Sequence, residues 1–256
     1  MGGTVLFICE GKMAGFTTGA LIVLGLCAFI VGISKTALPG AATLAVALLA
    51  AVMPALQSTG VMLLMLLVGD VVAIVMYRKK ADWPTLVRLV PGVLLGLVIG
   101  AVFLHVASDR VIRVSIGIIL LVLIAVTTFV LKRNDNPNVE GPWARAFFGS
   151  LAGMTTMAAN AGGPVTTMYF LAAKFPVKTF LGTTAWFYFL VNLTKLPFAV
   201  ALGSVSGESL RVAAPFLPLV LVGALLGRLL ATHMSQKVFE PVVTVLTVIS
   251  AAYLLI

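Results

Sequence analysis

Residues 32–40 read GISKTALPG, a lysine set between a serine and a threonine and followed closely by Pro39 and Gly40. Upstream lie nineteen residues without a charge, Gly15 to Ile33, and downstream another apolar run begins. If the stretch were a water-exposed loop, Lys35 would simply snorkel to the membrane face at the end of a span, with Pro and Gly turning the chain. The rest of the sequence decides whether that account suffices.

Over 256 residues the composition is 61% hydrophobic and 10% charged, with a mean hydropathy of +1.16. Apolar runs recur end to end, at 15–33, 41–53, 59–77, 84–106, 110–131, 143–158, 164–174, 178–202, 211–232 and 237–256. Most approach the length of about 20 residues that a helix needs to cross a bilayer. The fold class expected is an all-α polytopic membrane protein, with the lipid bilayer as its partner and no soluble domain of any size. The formal net charge of +9 would suggest nucleic acid in a soluble protein. Here the basic residues sit mostly in short gaps between apolar segments and act as topology signals, so no nucleic-acid partner is expected.

Cys9 and Cys27 offer no disulfide framework. His105 and His233 stand singly near segment ends, and without a cluster at ligand spacing neither a metal site nor a bound cofactor is expected. The N-terminus lacks the basic region and small-residue cleavage site of a removable signal peptide, so residues 1–14 are expected to be a leader retained before the first segment.

The longest polar stretch, KRNDNPNVEG at 132–141, divides the ten segments into two sets of five. The expected organisation is a first transmembrane repeat at 15–131, a cytoplasmic linker at 132–142 and a second repeat at 143–256. A shift of 127 superimposes Pro91, Gly96, Gly100 and Ser108 on Pro218, Gly223, Gly227 and Ser235. The gaps at 77–82, 131–134, 174–178 and 235–237 are rich in Lys and Arg, and they alternate with basic-poor gaps at 53–58 and 203–209. The rich set is expected in the cytoplasm and both termini outside, although 107–113, with two arginines, departs from the scheme. An odd number of segments per half makes the repeats inverted in topology, and segments 41–53 and 164–174 are short enough to be broken or re-entrant helices near the midplane.

Both halves carry an irregular Gly/Pro break before the short second segment, SKTALPG at 34–40 and AANAGGP at 158–164. Paired interruptions of this kind mark substrate sites in transporters built from inverted repeats. Pro39 and Pro164 suit the first turn of a following half-helix, and Thr36 and Asn160 are side chains able to cap its amides. Two positive helix ends facing one cavity, together with Lys35, favour a small anionic substrate. Ser34, Lys35, Thr36 and Gly40 from the first break, and Asn160, Gly162 and Gly163 from the second, are the candidate binding residues. The P-loop pattern fails, because Ser34 and Phe29 stand where it requires glycine.

Asp70 is the carboxylate placed well inside an apolar segment, a candidate to couple transport to a proton or ion, or to pair with Lys35. Asn192, in a comparable segment of the second half, is a candidate cavity residue or interhelical hydrogen-bonding group, and Lys195 reads as snorkelling. Glycines four residues apart, at 92, 96 and 100 and again at 223 and 227, form close-packing helix faces.

GISKTALPG and NAGGPVTTMYFL at 160–171, each in an equivalent place after the first helix of its half, resemble motifs of the TauE/SafE, or sulfite exporter, family of membrane permeases. The likeness runs from about Gly15 to Ile256, with Lys35-Thr36-Ala37 departing from the commoner Gly-Gly-Gly form. The resemblance implies transport of sulfur-containing anions such as sulfite or organosulfonates, often outward, across a bacterial inner membrane. From the residues alone, an anion channel, a non-transporting membrane scaffold and an intramembrane enzyme using Ser34 and Lys35 stay open; adjacent helical residues point about 100° apart, which disfavours the enzyme.

Overall fold

The computed structural model describes residues 16–39, 41–106 and 141–235, together with 111, 118, 237–239, 241, 242, 244 and 245. The fifth apolar segments of both halves, 110–131 and 237–256, lie largely outside the described residues, as do the leader at 1–14 and the greater part of the linker at 132–142.

Helix α1 (Thr18–Thr36) opens at Thr17, whose hydroxyl accepts from the Ala20 amide. It continues through Ser34, Lys35 and Thr36, so the sequence expected to follow the span is its last turn and the break begins at Ala37. A lysine there faces the negative end of the helix dipole, which favours continuing the helix. Helix α2 (Ala42–Val52) folds back along α1, since the Ala42 amide donates to Ser34 Oγ at 2.9 Å and Cys27 Sγ meets the Ala45 carbonyl. Helix α3 (Ala55–Tyr77) then returns in the direction of α1, bringing Asp70 to Lys35 and the Tyr77 hydroxyl to the Thr36 carbonyl at 2.9 Å. A 3-10 turn at Arg78–Lys80 leads directly into α4 (Trp83–Val106), which therefore runs opposite to α3.

Helix α5 (Pro142–Ala159) opens the second half beside α4. Gly92 faces Ala146, Gly96 faces Ser150 and Gly100 faces Met154, so the contacts advance together and the two helices are parallel. Because α4 opposes α1, α5 opposes α1 as well: the second half begins in the reverse direction, as an inverted repeat requires. After α6 (Gly163–Ala172), α7 (Val177–Ala201) and α8 (Gly207–Ala213) comes α9 (Leu217–His233). It lies parallel to α1, with Gly25 against Leu219, Gly32 against Gly223 and Gly227 against Ile33. The first helix of each half thus packs on the fourth apolar segment of the other. Their equivalents α3 and α7 cross antiparallel, Gly60 against Ser204 at one end and Gly182 against Tyr77 at the other.

This crossing gathers the basic-poor connections at 53–58 and 203–209 at one end of the bundle. At the opposite end the Asp82 amide donates to Thr183 Oγ1 at 2.9 Å, beside the basic residues 78–80. Among the described residues, four helical stretches are long and apolar enough to cross a membrane, Thr18–Thr36, Leu56–Lys80, Trp83–Phe103 and Gly207–His233. Outward positions on α4 and α9, such as Val87, Leu94, Val98, Leu221, Leu225 and Leu229, are exposed apolar side chains suited to lipid. The chain is an all-α polytopic membrane protein.

The glycine faces bring backbones into direct contact, because lipid supplies no hydrophobic drive between helices and close packing must do so. A Cβ at Gly96 would lie 2.7 Å from the carbonyl carbon and 2.8 Å from the Cα of Ser150, neither of which can rotate aside. Gly96→Ala is expected to force α4 from α5 and to destabilise the protein by about 1–3 kcal/mol, measured by thermal unfolding in detergent. An unchanged midpoint would show that this contact is not close in the membrane.

Candidate substrate site at the two helix breaks

In the first break the Ala37 and Leu38 amides both donate to the Ile33 carbonyl, which ends α1 and turns the chain. The hydroxyl that meets the next helix belongs to Ser34: it accepts from the Ala42 amide at 2.9 Å and donates to the Leu38 carbonyl at 3.2 Å. The cap expected of Thr36 is absent, because its hydroxyl points across α1 to the Gly32 and Ala224 carbonyls. Pro39 lies three residues ahead of α2, outside its first turn, whereas Pro164 is the second residue of α6.

The second break turns on Asn160, which closes α5 in the left-handed conformation with φ of 53°. Asparagine tolerates that region better than most residues. It does not cap α6. Its amide Nδ2 donates to the Thr59 carbonyl at 3.2 Å, and its Oδ1 accepts from Lys195 Nζ. Lys195 Nζ also donates to the Thr156 carbonyl at 2.6 Å. The expectation that Lys195 snorkels is therefore overturned: the side chain is 2% exposed and turned into the bundle. The Thr156 carbonyl at the end of α5 and the side-chain oxygen of Asn160 give its ammonium two buried acceptors.

The breaks meet. Thr167 Oγ1 on α6 reaches the Pro39 carbonyl at 3.4 Å, and residues from both breaks line one cavity of about 390 Å³, open mouth included. Ser34, Lys35, Pro39 and Ala42 come from the first half, Thr156, Asn160 and Gly163 from the second, and Thr184, Tyr188 and Asn192 from α7. Ala42 and Gly163 are the first residues of α2 and α6, so both short helices present their N-termini to this space.

Lys35 pairs with Asp70 at 2.6 Å, the lysine 7% exposed and the carboxylate fully buried. Its ammonium also lies 4.5 Å from the Tyr188 ring centroid, a cation–π distance. Asn192 Nδ2 donates to the other carboxylate oxygen at 2.7 Å. Among the described residues Lys195 has no carboxylate partner, and when protonated it adds one positive charge to the neutral Lys35–Asp70 pair.

Of the residues expected from sequence, Ser34, Lys35, Asn160, Gly163 and Asn192 line the cavity. Thr36 faces α9, Gly162 faces Thr156 and Ala152 on α5, and Asp70 sits behind Lys35. Gly40 lies outside the described residues. Sequence reasoning missed Lys195, Thr184 and Tyr188 as members of the site. Thr184, Tyr188, Asn192 and Lys195 are spaced by four, four and three, a polar stripe along one face of a largely apolar helix, and that period was the available signal.

A family model described as Sulfite exporter TauE/SafE matches residues 24–254. No curated protein and no solved structure matches the chain.

Proposed function

Because the chain belongs to the sulfite exporter TauE/SafE family, we propose that this membrane permease moves small sulfur-containing anions, sulfite or organosulfonates, outward across a bacterial inner membrane. Transport proceeds by alternating access around the cavity between the two breaks. The observation that carries this reading is the convergence of two half-helix N-termini, one from each repeat, on a space lined by Lys35, with Lys195 behind Asn160. The positive ends of two helix dipoles favour an oxyanion.

In this reading Lys35, Asn160, Gly163 and Gly40 offer donors to the substrate. Ser34 and Thr36 hold the shape of the first break, Gly162 lets α6 start close against α5, and Asn192 faces the substrate from α7. Asp70 serves as the coupling residue, exchanging a proton or ion as its contact with Lys35 changes. The basic connections face the cytoplasm and both termini lie outside.

The test is uptake by proteoliposomes of labelled sulfite, a small sulfonate, sulfate and a cation. Saturable sulfite flux with exchange against unlabelled sulfite is expected, and Asn160→Ala should lower it about tenfold or more, since hydrogen bonds to charged groups contribute about 1.5–3 kcal/mol. Cation flux, or sulfite flux indifferent to Asn160→Ala, would remove the site from the second break. A linear, non-saturating flux would indicate a channel.

A further inference from the structure

Two buried polar atoms at this cavity have no hydrogen-bond partner among the described residues: Asn192 Oδ1 and Thr184 Oγ1. The residues are 1% and 3% exposed. Chemistry fixes which way the Asn192 amide faces, because its Nδ2 donates to Asp70 Oδ2 at 2.7 Å and turning it over would set oxygen against carboxylate. The atom left over is a carbonyl oxygen, which can only accept. Thr184, two turns earlier on the same face of α7, has a hydroxyl that can donate to an oxyanion.

The Asn192 orphan does not suit a bare polyanion. An acceptor facing the substrate repels an oxygen that carries only lone pairs, and it stabilises one that bears a hydrogen. Charge points the same way. Among the described residues the Lys35–Asp70 pair is neutral in sum and a protonated Lys195 adds one positive charge, so one negative charge on the ligand balances the site and a second would stand unpaired beside Asp70.

Resting on the anion-transport reading above, we propose that the cavity selects monoanions that carry a hydrogen-bond donor of their own, such as hydrogen sulfite or a hydroxyl-bearing sulfonate. Dianions, and monoanions with acceptors alone, bind less well. The anionic oxygens take the donors of Lys35, Asn160 and Thr184, and the substrate hydroxyl donates to Asn192 Oδ1.

The experiment uses the full chain in proteoliposomes, with counterflow of labelled sulfite at one fixed pH and three unlabelled competitors. Isethionate is a monoanion with a hydroxyl, ethanesulfonate has the same skeleton without it, and sulfate is a dianion without a donor. Isethionate is expected to compete about tenfold or more better than ethanesulfonate, the worth of satisfying a buried acceptor, with sulfate weakest. Asn192→Ala should abolish the gap between the two sulfonates while leaving sulfate weakest, because Lys195 is untouched. Equal competition by the two sulfonates in the unmodified protein, or sulfate competing best, would overturn this inference and leave anion transport standing. Absence of sulfite flux would overturn both. Should Asn192→Ala fail to fold, the competitor series on the unmodified protein decides alone.

Discussion

Asp70→Asn is expected to be the most destabilising of the replacements considered, lowering the unfolding free energy by about 3–5 kcal/mol. The change keeps the shape of the side chain and an acceptor for Asn192 Nδ2. It removes the carboxylate that pairs with Lys35, which is 7% exposed and loses a 2.6 Å contact. A second ammonium, Lys195, lies in the same buried region, so two unbalanced positive charges would then share it. Against total stabilities of roughly 5–15 kcal/mol the loss is a large fraction. The double replacement Lys35→Met with Asp70→Asn should recover most of it, because exchanging a buried pair for neutral groups is often neutral or stabilising. Thermal unfolding in detergent of the single and double variants measures both. A double variant no more stable than Asp70→Asn would show that the ion pair is not the source of the effect.

Lys195→Met is expected to do the opposite, leaving stability nearly unchanged while suppressing anion flux. Removing an unpaired buried ammonium relieves a desolvation cost of several kcal/mol. It also strips a donor from the Thr156 carbonyl and from Asn160 Oδ1, at about 1–3 kcal/mol each, so the two effects largely offset. The substrate has no such compensation. An anion beside Asn160 would lie roughly 6 Å from Nζ, and at an effective dielectric constant of about 20 that charge contributes about 3 kcal/mol, roughly a hundredfold in binding. Sulfite counterflow and detergent melting on the same preparation separate the outcomes. Full flux in a stable Lys195→Met protein would move the anion-attracting charge elsewhere, and a collapse of stability with flux would make Lys195 a structural residue.

Much of the architecture was legible because it is written locally. Hydropathy marks spans one segment at a time, and Gly and Pro mark breaks where they stand. The glycine register matched Gly96 with Gly223 and Gly100 with Gly227, and the structure uses both pairs in the same way, against α5 and against α1. What failed was the assignment of polar side chains to partners. Ser34 and Thr36 are equally plausible caps from their spacing alone, yet α1 continues through both and only Ser34 emerges on the side where α2 folds back.

The sequence by itself therefore determined a membrane bundle of two inverted halves, each interrupted after its first helix, since length, apolarity and chain breaks are properties of single segments. Only the tertiary structure decided that Lys35 is neutralised by Asp70, that Asn192 from the equivalent helix closes on the same carboxylate, and that Lys195 turns inward to Asn160. Such pairings depend on how far one helix slides and rotates against another from the opposite half. Lysine has the same hydropathy whether its ammonium reaches the interface or the carbonyl end of a broken helix, so no local pattern distinguishes the two.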